Sequence, residues 1–197
     1  IAALMDRTDV VDAVALALSV LAVVAQATVV VVAATALLGL VWAPARGLLR
    51  EVAEGLGPGL LWGAWGVAAL ATAGSLFFSE YAKFVPCGLC WYQRIAMYPL
   101  SVILLIAAVR RDYAAAARFG LPLVAFGAAV SVWHNYVERH PEAETGFCSI
   151  GGTTSCAVKW IEELGYVTIP VLSLSAFALI ATLLLGARAV ARARAGE

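Results

Sequence analysis

The chain alternates long uncharged stretches with short charged clusters. Five stretches contain no Asp, Glu, Lys or Arg, and they cover residues 13–45, 55–79, 95–109, 119–137 and 164–187. A helix needs about 20 apolar residues to cross the hydrocarbon core of a bilayer. Four of the stretches are long enough, and the third becomes so when residues 91–94 are included. The pattern therefore predicts an all-α membrane protein with five membrane-spanning helices.

The first stretch is longer than an upright span requires, so we expect one long, tilted helix. The acidic residues before it are unlike the basic segment that opens a cleaved signal peptide. Glycine and proline at positions 55–58 favour a break between helices. We therefore expect residues 1–57 to form an additional N-terminal transmembrane helix with a cytoplasmic linker. Residues 58–197 then form a four-helix transmembrane bundle core.

The composition agrees with a membrane protein. Hydrophobic residues make up 63% of the chain and charged residues 13%, whereas soluble domains contain about 25% charged residues. The formal net charge is zero, which argues against nucleic acid as a partner. The partner that the composition indicates is the lipid bilayer.

The basic residues predict the orientation of the chain. One side of the predicted spans carries eight arginines: Arg46, Arg50, Arg110, Arg111, Arg118, Arg188, Arg192 and Arg194. The excess of basic residues in cytoplasmic loops makes this side cytoplasmic. The opposite loops contain all four cysteines, and an outer compartment is where disulfides form and persist. We therefore expect the cysteine loops to face the extracytoplasmic side of the membrane.

The first cysteine pair, Cys87 and Cys90, forms a C-x-x-C motif directly before Trp-Tyr-Gln-Arg and a predicted membrane helix. Such a pair can close into a small disulfide ring, and a helix N-terminus at Cys90 would stabilise its thiolate. Arg94 lies one helical turn after Cys90, on the same face. A cation there can hold an anionic or electron-accepting partner beside the sulfur. The segment predicts redox chemistry at the membrane surface.

The second pair, Cys148 and Cys156, encloses seven residues that include Gly151 and Gly152. Gly, Ser and Thr in this ring favour turns, so we expect a flexible and accessible disulfide. Apolar residues then recur at helical spacing over residues 157–166. This spacing predicts a short amphipathic helix on the outer membrane face, with Trp160 near the headgroups.

Several alternatives remain open for the cysteines. Four cysteines allow three pairings, among which sequence alone does not choose. Two purely structural disulfides are the simplest alternative to a redox site. A four-thiolate zinc site fits poorly because the second spacing is wider than the usual metal-binding spacings, so no metal is expected. The sequence contains no haem, flavin or iron–sulfur motif, which leaves a lipid-soluble quinone as the simplest electron acceptor.

Other residues near the outer membrane face are candidates for quinone binding. Trp91, Tyr92 and Tyr98 are placed to border a quinone ring, and the alternative is an ordinary belt of interfacial aromatic residues. His134 lies near the outer end of the fourth span. Histidine at membrane depth suggests a hydrogen bond to a quinone oxygen or a proton relay. The alternative is a histidine that simply bonds to a neighbouring helix.

The string C-G-L-C-W-Y-Q-R before a membrane helix, with a second outer cysteine pair between the next two spans, resembles the disulfide bond formation protein B (DsbB) family of membrane thiol:quinone oxidoreductases. The resemblance extends from residue 58 to about residue 188. It implies a protein of the bacterial plasma membrane that reoxidises an extracytoplasmic thioredoxin-fold thiol oxidase (DsbA-like). The electrons would pass to the membrane quinone pool, either ubiquinone or menaquinone.

The resemblance also implies a role for each site residue. Cys90 would be the thiolate that meets the quinone, Cys87 its disulfide partner, and Arg94 the cation that polarises the quinone. Cys148 would be the sulfur attacked by the partner oxidase. Cys156 would then be released and exchange with Cys87.

Two features depart from the best-known proteobacterial members of this family. The second cysteine ring is shorter, as in the BdbC-like branch, and the predicted amphipathic helix follows the ring instead of lying inside it. In addition, residues 1–57 have no counterpart in the four-span core, so the resemblance implies nothing about them.

Two further function classes are compatible with parts of the pattern. The vitamin K epoxide reductase family shares a four-helix membrane core, quinone use and loop cysteines, but its quinone-side C-x-x-C motif comes late in the core and here it comes first. A non-enzymatic scaffold held by structural disulfides would leave Arg94 without a purpose at the membrane interface.

Overall fold

A computed structural model describes residues 2–149 and 154–195, and the described part of the chain contains six α-helices. These are α1 (Ala2–Val41), α2 (Ala43–Leu56), α3 (Gly59–Leu76), α4 (Gly88–Arg110), α5 (Tyr113–Arg139) and α6 (Ile169–Ala195). All except α2 are long and apolar enough to cross a membrane. The prediction of an all-α membrane protein with five spanning helices is confirmed.

The segment after α1 is helical, although the sequence predicted only a linker there. Pro44 lies in the first turn of α2, where a missing amide hydrogen costs nothing. Ala45 and Ala53 form a buried face of this helix. Gly57 ends α2 with φ +42°, a backbone conformation that favours glycine. The break between helices therefore falls within the predicted positions 55–58.

Helices α3, α4, α5 and α6 surround the main hydrophobic core, in which Leu61, Leu100 and Phe177 are fully buried. At Gly127, α5 packs directly against the ring of Phe177 in α6. A Cβ atom added to Gly127 would overlap the ring of Phe177. Small residues at helix contacts permit such close packing in membranes, where van der Waals contact is the main source of helix association.

Helix α1 lies against this bundle and contacts α6 through a polar bridge. The amide Nε2 of Gln26 donates to Oγ of Ser175 at 2.9 Å, and the hydroxyl of Tyr166 donates to Oε1 of Gln26 at 2.8 Å. Near its start, α1 places the guanidinium of Arg7 over the ring of Tyr81, 5.3 Å from the centroid. These contacts fix α1 to the outer half of the bundle.

The outer loops are held together by aromatic stacking. Helix α3 continues into a π-helical turn, Phe77–Tyr81, and the chain then leads to the start of α4. The ring of Phe84 stacks on Phe78 at 5.7 Å and on Trp160 at 4.9 Å. This stacking joins the loop before α4 to the loop before α6.

The predicted amphipathic helix over residues 157–166 is wrong. Trp160 is held on Phe84, and Glu163 pairs with Val167 in an antiparallel bridge. Leu164 and Gly165 reverse the chain with φ values of +53° and +78°. The apolar spacing extends over only two or three turns, which is too short to nucleate a helix without supporting contacts.

The contact between Gly127 and Phe177 predicts that Gly127→Ala destabilises the bundle. The added methyl group has no space unless α5 and α6 move apart, and overpacking of this kind typically costs about 1–3 kcal/mol. The matched control is Gly66→Ala in α3, where no atom lies within 4 Å of the added Cβ. Thermal unfolding in detergent should show a lower midpoint for Gly127→Ala only. Equal midpoints would contradict this packing.

Candidate active site

Cys87 is the residue that caps the N-terminus of α4. Its sulfur accepts a hydrogen bond from the backbone amide of Cys90 at 3.4 Å, and the two sulfurs lie 3.0 Å apart as free thiols. The sequence suggested that the helix N-terminus would serve Cys90. It serves Cys87 instead, because α4 begins at Gly88.

His134 of α5 lies against the same sulfur and is only 3% exposed. Its Nε2 is 3.7 Å from Sγ of Cys87 and 3.1 Å from the carbonyl oxygen of Cys156. Its Nδ1 lies 3.2 Å from the side-chain amide nitrogen of Gln93. With Gln93 donating to Nδ1, the ring proton is on Nε2, which then points at both cysteine pairs.

These contacts favour the ionised form of Cys87. The hydrogen bond from the Cys90 thiol is the main cause that lowers the pKa of Cys87 to about 4, and His134 lowers it further against the opposing effect of burial. Cys87 is therefore a thiolate at neutral pH whenever the first pair is reduced. A thiolate is the nucleophile in disulfide exchange, and a thiol of low pKa is also a good leaving group.

The second pair forms the disulfide Cys148–Cys156. The sequence left three pairings open, and the structure agrees with the one that joins Cys148 to Cys156. Cys87 and Cys90 are reduced. Both of its cysteines are 1% exposed, and they belong to one hydrophobic cluster with Cys87. The expectation of an accessible disulfide is wrong for this arrangement. Gly151 and Gly152, on which the expectation of flexibility rested, lie outside the described residues.

Glu144 holds the second loop in this position. One carboxylate oxygen accepts from the backbone amide of Cys156 at 2.8 Å, and the other accepts from the hydroxyl of Ser155 at 2.7 Å. Glu144 was not identified from the sequence. Nothing in its local sequence distinguishes it from Glu142, because its contacts cross the cysteine ring.

Arg94 is fixed by the end of α3. Its Nε donates to the hydroxyl of Ser75 at 2.9 Å, and its Nη2 donates to the carbonyl oxygen of Ser75 at 3.1 Å. The guanidinium also lies over the ring of Trp91, 5.2 Å from the centroid. Nη1 makes no hydrogen bond within the described part of the chain. The cation is thus anchored through one edge and keeps donor capacity on the other.

A mainly apolar cavity of about 330 Å³ opens beside Cys90 and Arg94. Of the predicted quinone-binding residues, Cys90, Arg94 and Tyr98 line it. Trp91, Tyr92 and His134 are not among the lining residues: Trp91 stacks on Arg94, and His134 faces the sulfurs. Ser75 joins the lining and shares a 3.3 Å hydrogen bond with the hydroxyl of Tyr98. The cavity fits the size and polarity usual for a small-molecule site.

The cysteine site also contains metal-ligating atoms. One ligand atom each from Cys87, Cys90 and His134 lies within 4.8 Å of the others. No further Cys, His, Asp or Glu among the described residues completes a set of four, which is the usual number in a structural zinc site. The three residues are better explained by thiol chemistry, because His134 and Cys90 both stabilise the Cys87 thiolate.

Two other polar residues at the site were not identified from the sequence. Gln93 lies in the W-Y-Q-R segment, and its position inside a membrane helix was the available signal. Glu138, near the end of α5, is 7% exposed and accepts a 2.7 Å hydrogen bond from the hydroxyl of Thr168. Its partner follows it by 30 residues, so no local pattern predicted the contact.

The chain is similar to a known protein family and to individual bacterial proteins. The model of the family described as "Disulfide bond formation protein DsbB" matches residues 57–187. The "Probable disulfide formation protein C 1" of Bacillus anthracis is 46% identical over 121 residues, which cover 61% of this chain and 86% of that protein. The "Disulfide bond formation protein C" of Bacillus subtilis (strain 168) is 43% identical over 120 residues, covering 61% and 86%.

A third similar protein comes from a bacterium of another genus. The "Probable disulfide formation protein" of Deinococcus radiodurans is 44% identical over 128 residues, which cover 61% of this chain and 83% of that protein. No solved structure matches the chain.

The environment of Cys87 predicts an unusual pH profile for its alkylation. In reduced Cys148→Ser/Cys156→Ser protein, the rate of Cys87 modification by iodoacetamide should be nearly constant from about pH 5.5 to 7.5, because a pKa of about 4 keeps the thiolate populated. An ordinary thiol would react about 100-fold more slowly at the lower pH. Peptide mass spectrometry measures the rate.

His134→Ala removes one of the contacts that lower the pKa of Cys87. In this variant, the rate of Cys87 modification should therefore begin to fall as the pH is lowered through the same range. His140→Ala, at an exposed residue, is the control and should behave as the parent protein. A parent rate that falls about tenfold for each unit of pH throughout the range would contradict a stabilised Cys87 thiolate.

Proposed function

The chain belongs to the disulfide bond formation protein DsbB family, a family of disulfide-forming membrane oxidoreductases, and on this premise we propose that it is a thiol:quinone oxidoreductase. It reoxidises a thioredoxin-fold thiol oxidase outside the cytoplasmic membrane. Two electrons and two protons leave the partner's dithiol and are delivered to a membrane quinone. The protein itself returns to its starting state after each cycle.

The observation that carries the proposal is the contact of one buried histidine with both cysteine pairs. Nε2 of His134 lies near Sγ of Cys87 and near the carbonyl oxygen of Cys156. One pair is reduced and the other is a disulfide within a single hydrophobic cluster. Disulfide exchange between the pairs therefore needs only short movements of the sulfurs.

The first part of the cycle exchanges disulfides with the partner. A thiolate of the partner attacks Sγ of Cys148, and Sγ of Cys156 leaves with the electron pair. The partner's second thiolate then attacks the mixed disulfide and releases Cys148. The partner now carries a disulfide, and Cys148 and Cys156 are both reduced. Because both sulfurs are buried, docking of the partner must displace the segment that Glu144 holds.

The second part moves the electrons toward the membrane. The Cys156 thiolate attacks Cys87 of an oxidised Cys87–Cys90 pair, and Cys90 leaves. Cys148 then attacks Cys156, which restores the Cys148–Cys156 disulfide and releases Cys87. The low pKa of Cys87 makes it a good leaving group in this last step. The products, an outer disulfide and a reduced first pair, correspond to the arrangement in the structure.

The cavity beside Cys90 supports a quinone as the final acceptor. A bound quinone supplies an acceptor for two electrons and two protons. Cys90 and Arg94 would hold its polar end, since they are the thiol and the cation on the cavity wall. Ser75 keeps the guanidinium in place before any charge develops, and a preorganised cation stabilises negative charge more effectively than a mobile one.

The orientation of the chain belongs to the same proposal. Helix α4 ends at Arg110, α5 begins just after Arg111, and α6 continues past Arg188, so these arginines lie at the bundle end remote from the cysteines. The basic end is cytoplasmic by the positive-inside rule. The cysteine end then faces the compartment in which secreted proteins acquire disulfides.

The charge-assisted acceptor site predicts that Arg94→Gln slows quinone reduction by on the order of 100-fold or more, because loss of a preorganised charge contact typically costs about 2.7–4 kcal/mol. Lysine should rescue only part of the rate, since it lacks the planar fork that bonds to Ser75. The assay follows quinol formation in liposomes with a reduced thioredoxin-fold oxidase as donor and a short-chain ubiquinone or menaquinone as acceptor.

Arg139→Gln is the matched control, because Arg139 is an exposed arginine at the outer end of α5. It should keep the parent rate, and disulfide exchange with the partner should be unchanged in both variants. The proposal fails if the parent protein reduces neither quinone. The role of Arg94 fails if Arg94→Gln works at the parent rate while Cys90→Ala is inactive.

A further inference from the structure

The cavity beside Cys90 is not enclosed by the four-helix core alone. Helix α1 supplies part of its wall through six residues: Leu18, Leu21, Ala22, Val24, Ala25 and Thr28. This helix lies outside residues 57–187, the range that the family model matches. Part of the cavity wall is therefore built by a segment of the chain that the family model does not match.

We propose that α1 is part of the quinone site and sets the affinity and the tail preference of this protein for isoprenoid quinones. The proposal rests on the thiol:quinone activity proposed above and adds a second wall to its acceptor site. The face of α1 between residues 18 and 28 contacts the bound quinone.

Contacts with the rest of the protein fix the position of α1. Gln26 is a polar residue in the middle of a membrane helix, and its amide is satisfied by Ser175 and by Tyr166. The side chain of Leu18 reaches to 3.1 Å from the position of a Cβ on Gly74 in α3. The wall is thus anchored to α6 and to the loop before it, and it also touches α3.

The chemistry of the two walls differs. Thr28 is the polar member of the six α1 residues named above, and its hydroxyl already donates to the carbonyl oxygen of Val24 at 2.9 Å. The reactive thiol and the cation of the cavity, Cys90 and Arg94, are on α4, and Ser75, which holds Arg94, is on α3. The quinone oxygens therefore belong on the α3–α4 side, and α1 faces the apolar edge of the ring and the first isoprene units.

The lining residues of α1 also suggest where the tail leaves. Leu21 and Val24 line the cavity, yet they are 51% and 58% exposed, so the cavity opens toward the lipid at these side chains. Ala22 and Ala25 are each only 7% exposed and leave space deeper inside. An apolar tail could thus pass between α1 and the core into the bilayer.

Two alanines of α1 provide a matched test. Ala25→Leu fills part of the cavity, whereas Ala27→Leu adds the same side chain at an exposed position outside the lining. A few methylene groups in an apolar pocket change binding by about 10-fold or more. We expect Ala25→Leu to raise the KM for a long-chain isoprenoid quinone by about 10-fold, with disulfide exchange unchanged, and Ala27→Leu to behave as the parent.

A second measurement is independent of the variants and of turnover. An azido derivative of the quinone, photolysed on the parent protein in liposomes, should label peptides from residues 18–28 as well as peptides from α4. Label confined to α4, or equal KM values for the two alanine variants, would overturn the role of α1. A parent protein that neither reduces nor is labelled by the quinone would instead overturn the proposed function itself.

Discussion

The contact of His134 with both cysteine pairs is the interaction on which the site depends. The imidazole comes from α5, Cys87 begins α4, and Cys156 lies in the loop before α6, so one ring joins three parts of the chain. Gln93 fixes the orientation of the ring from within α4. The contact places a reduced pair beside a disulfide in a buried cluster, where water does not compete for the hydrogen bonds.

The membrane explains why such a site can be built at a helix end. Inside the bilayer all backbone groups must be bonded, which leaves irregular structure only at the surface. Both cysteines of the first pair lie at this boundary. Sγ of Cys87 accepts a hydrogen bond from an amide at the start of α4, while Cys90 lines the cavity one turn deeper. The same helix therefore connects the outer compartment to the apolar site that we propose for the quinone.

The spans and the sulfur motifs were predictable because each has a local signal. Apolar length gave the five membrane helices, and the C-x-x-C-W-Y-Q-R string gave the family. The contact between His134 and Cys87 has no local signal, because the two residues are separated by 47 positions in the sequence. At residues 157–166, the helical spacing of apolar residues predicted a helix that does not form. Trp160 in this segment stacks on Phe84 instead.

The position of α1 in the bundle was likewise not predictable from local sequence. Its length and polarity predicted a spanning helix, but its position against α6 follows from Gln26, whose partner Ser175 lies 149 residues away. Contacts at that distance are set by the packed fold and not by sequence pattern. The family match, which begins at residue 57, gives no information on this helix.

In the proposed cycle, electrons pass between the two pairs through Cys87 and Cys156. The most direct measurement uses Cys90→Ser/Cys148→Ser protein, which retains only these two sulfurs, and tests for a disulfide between them by mass spectrometry after mild oxidation. We expect the Cys87–Cys156 bond to form readily in this protein. Cys87→Ser/Cys156→Ser protein, with Cys90 and Cys148 remaining, should stay largely reduced. Free thiols in the first protein and a bond between Cys90 and Cys148 in the second would contradict the account.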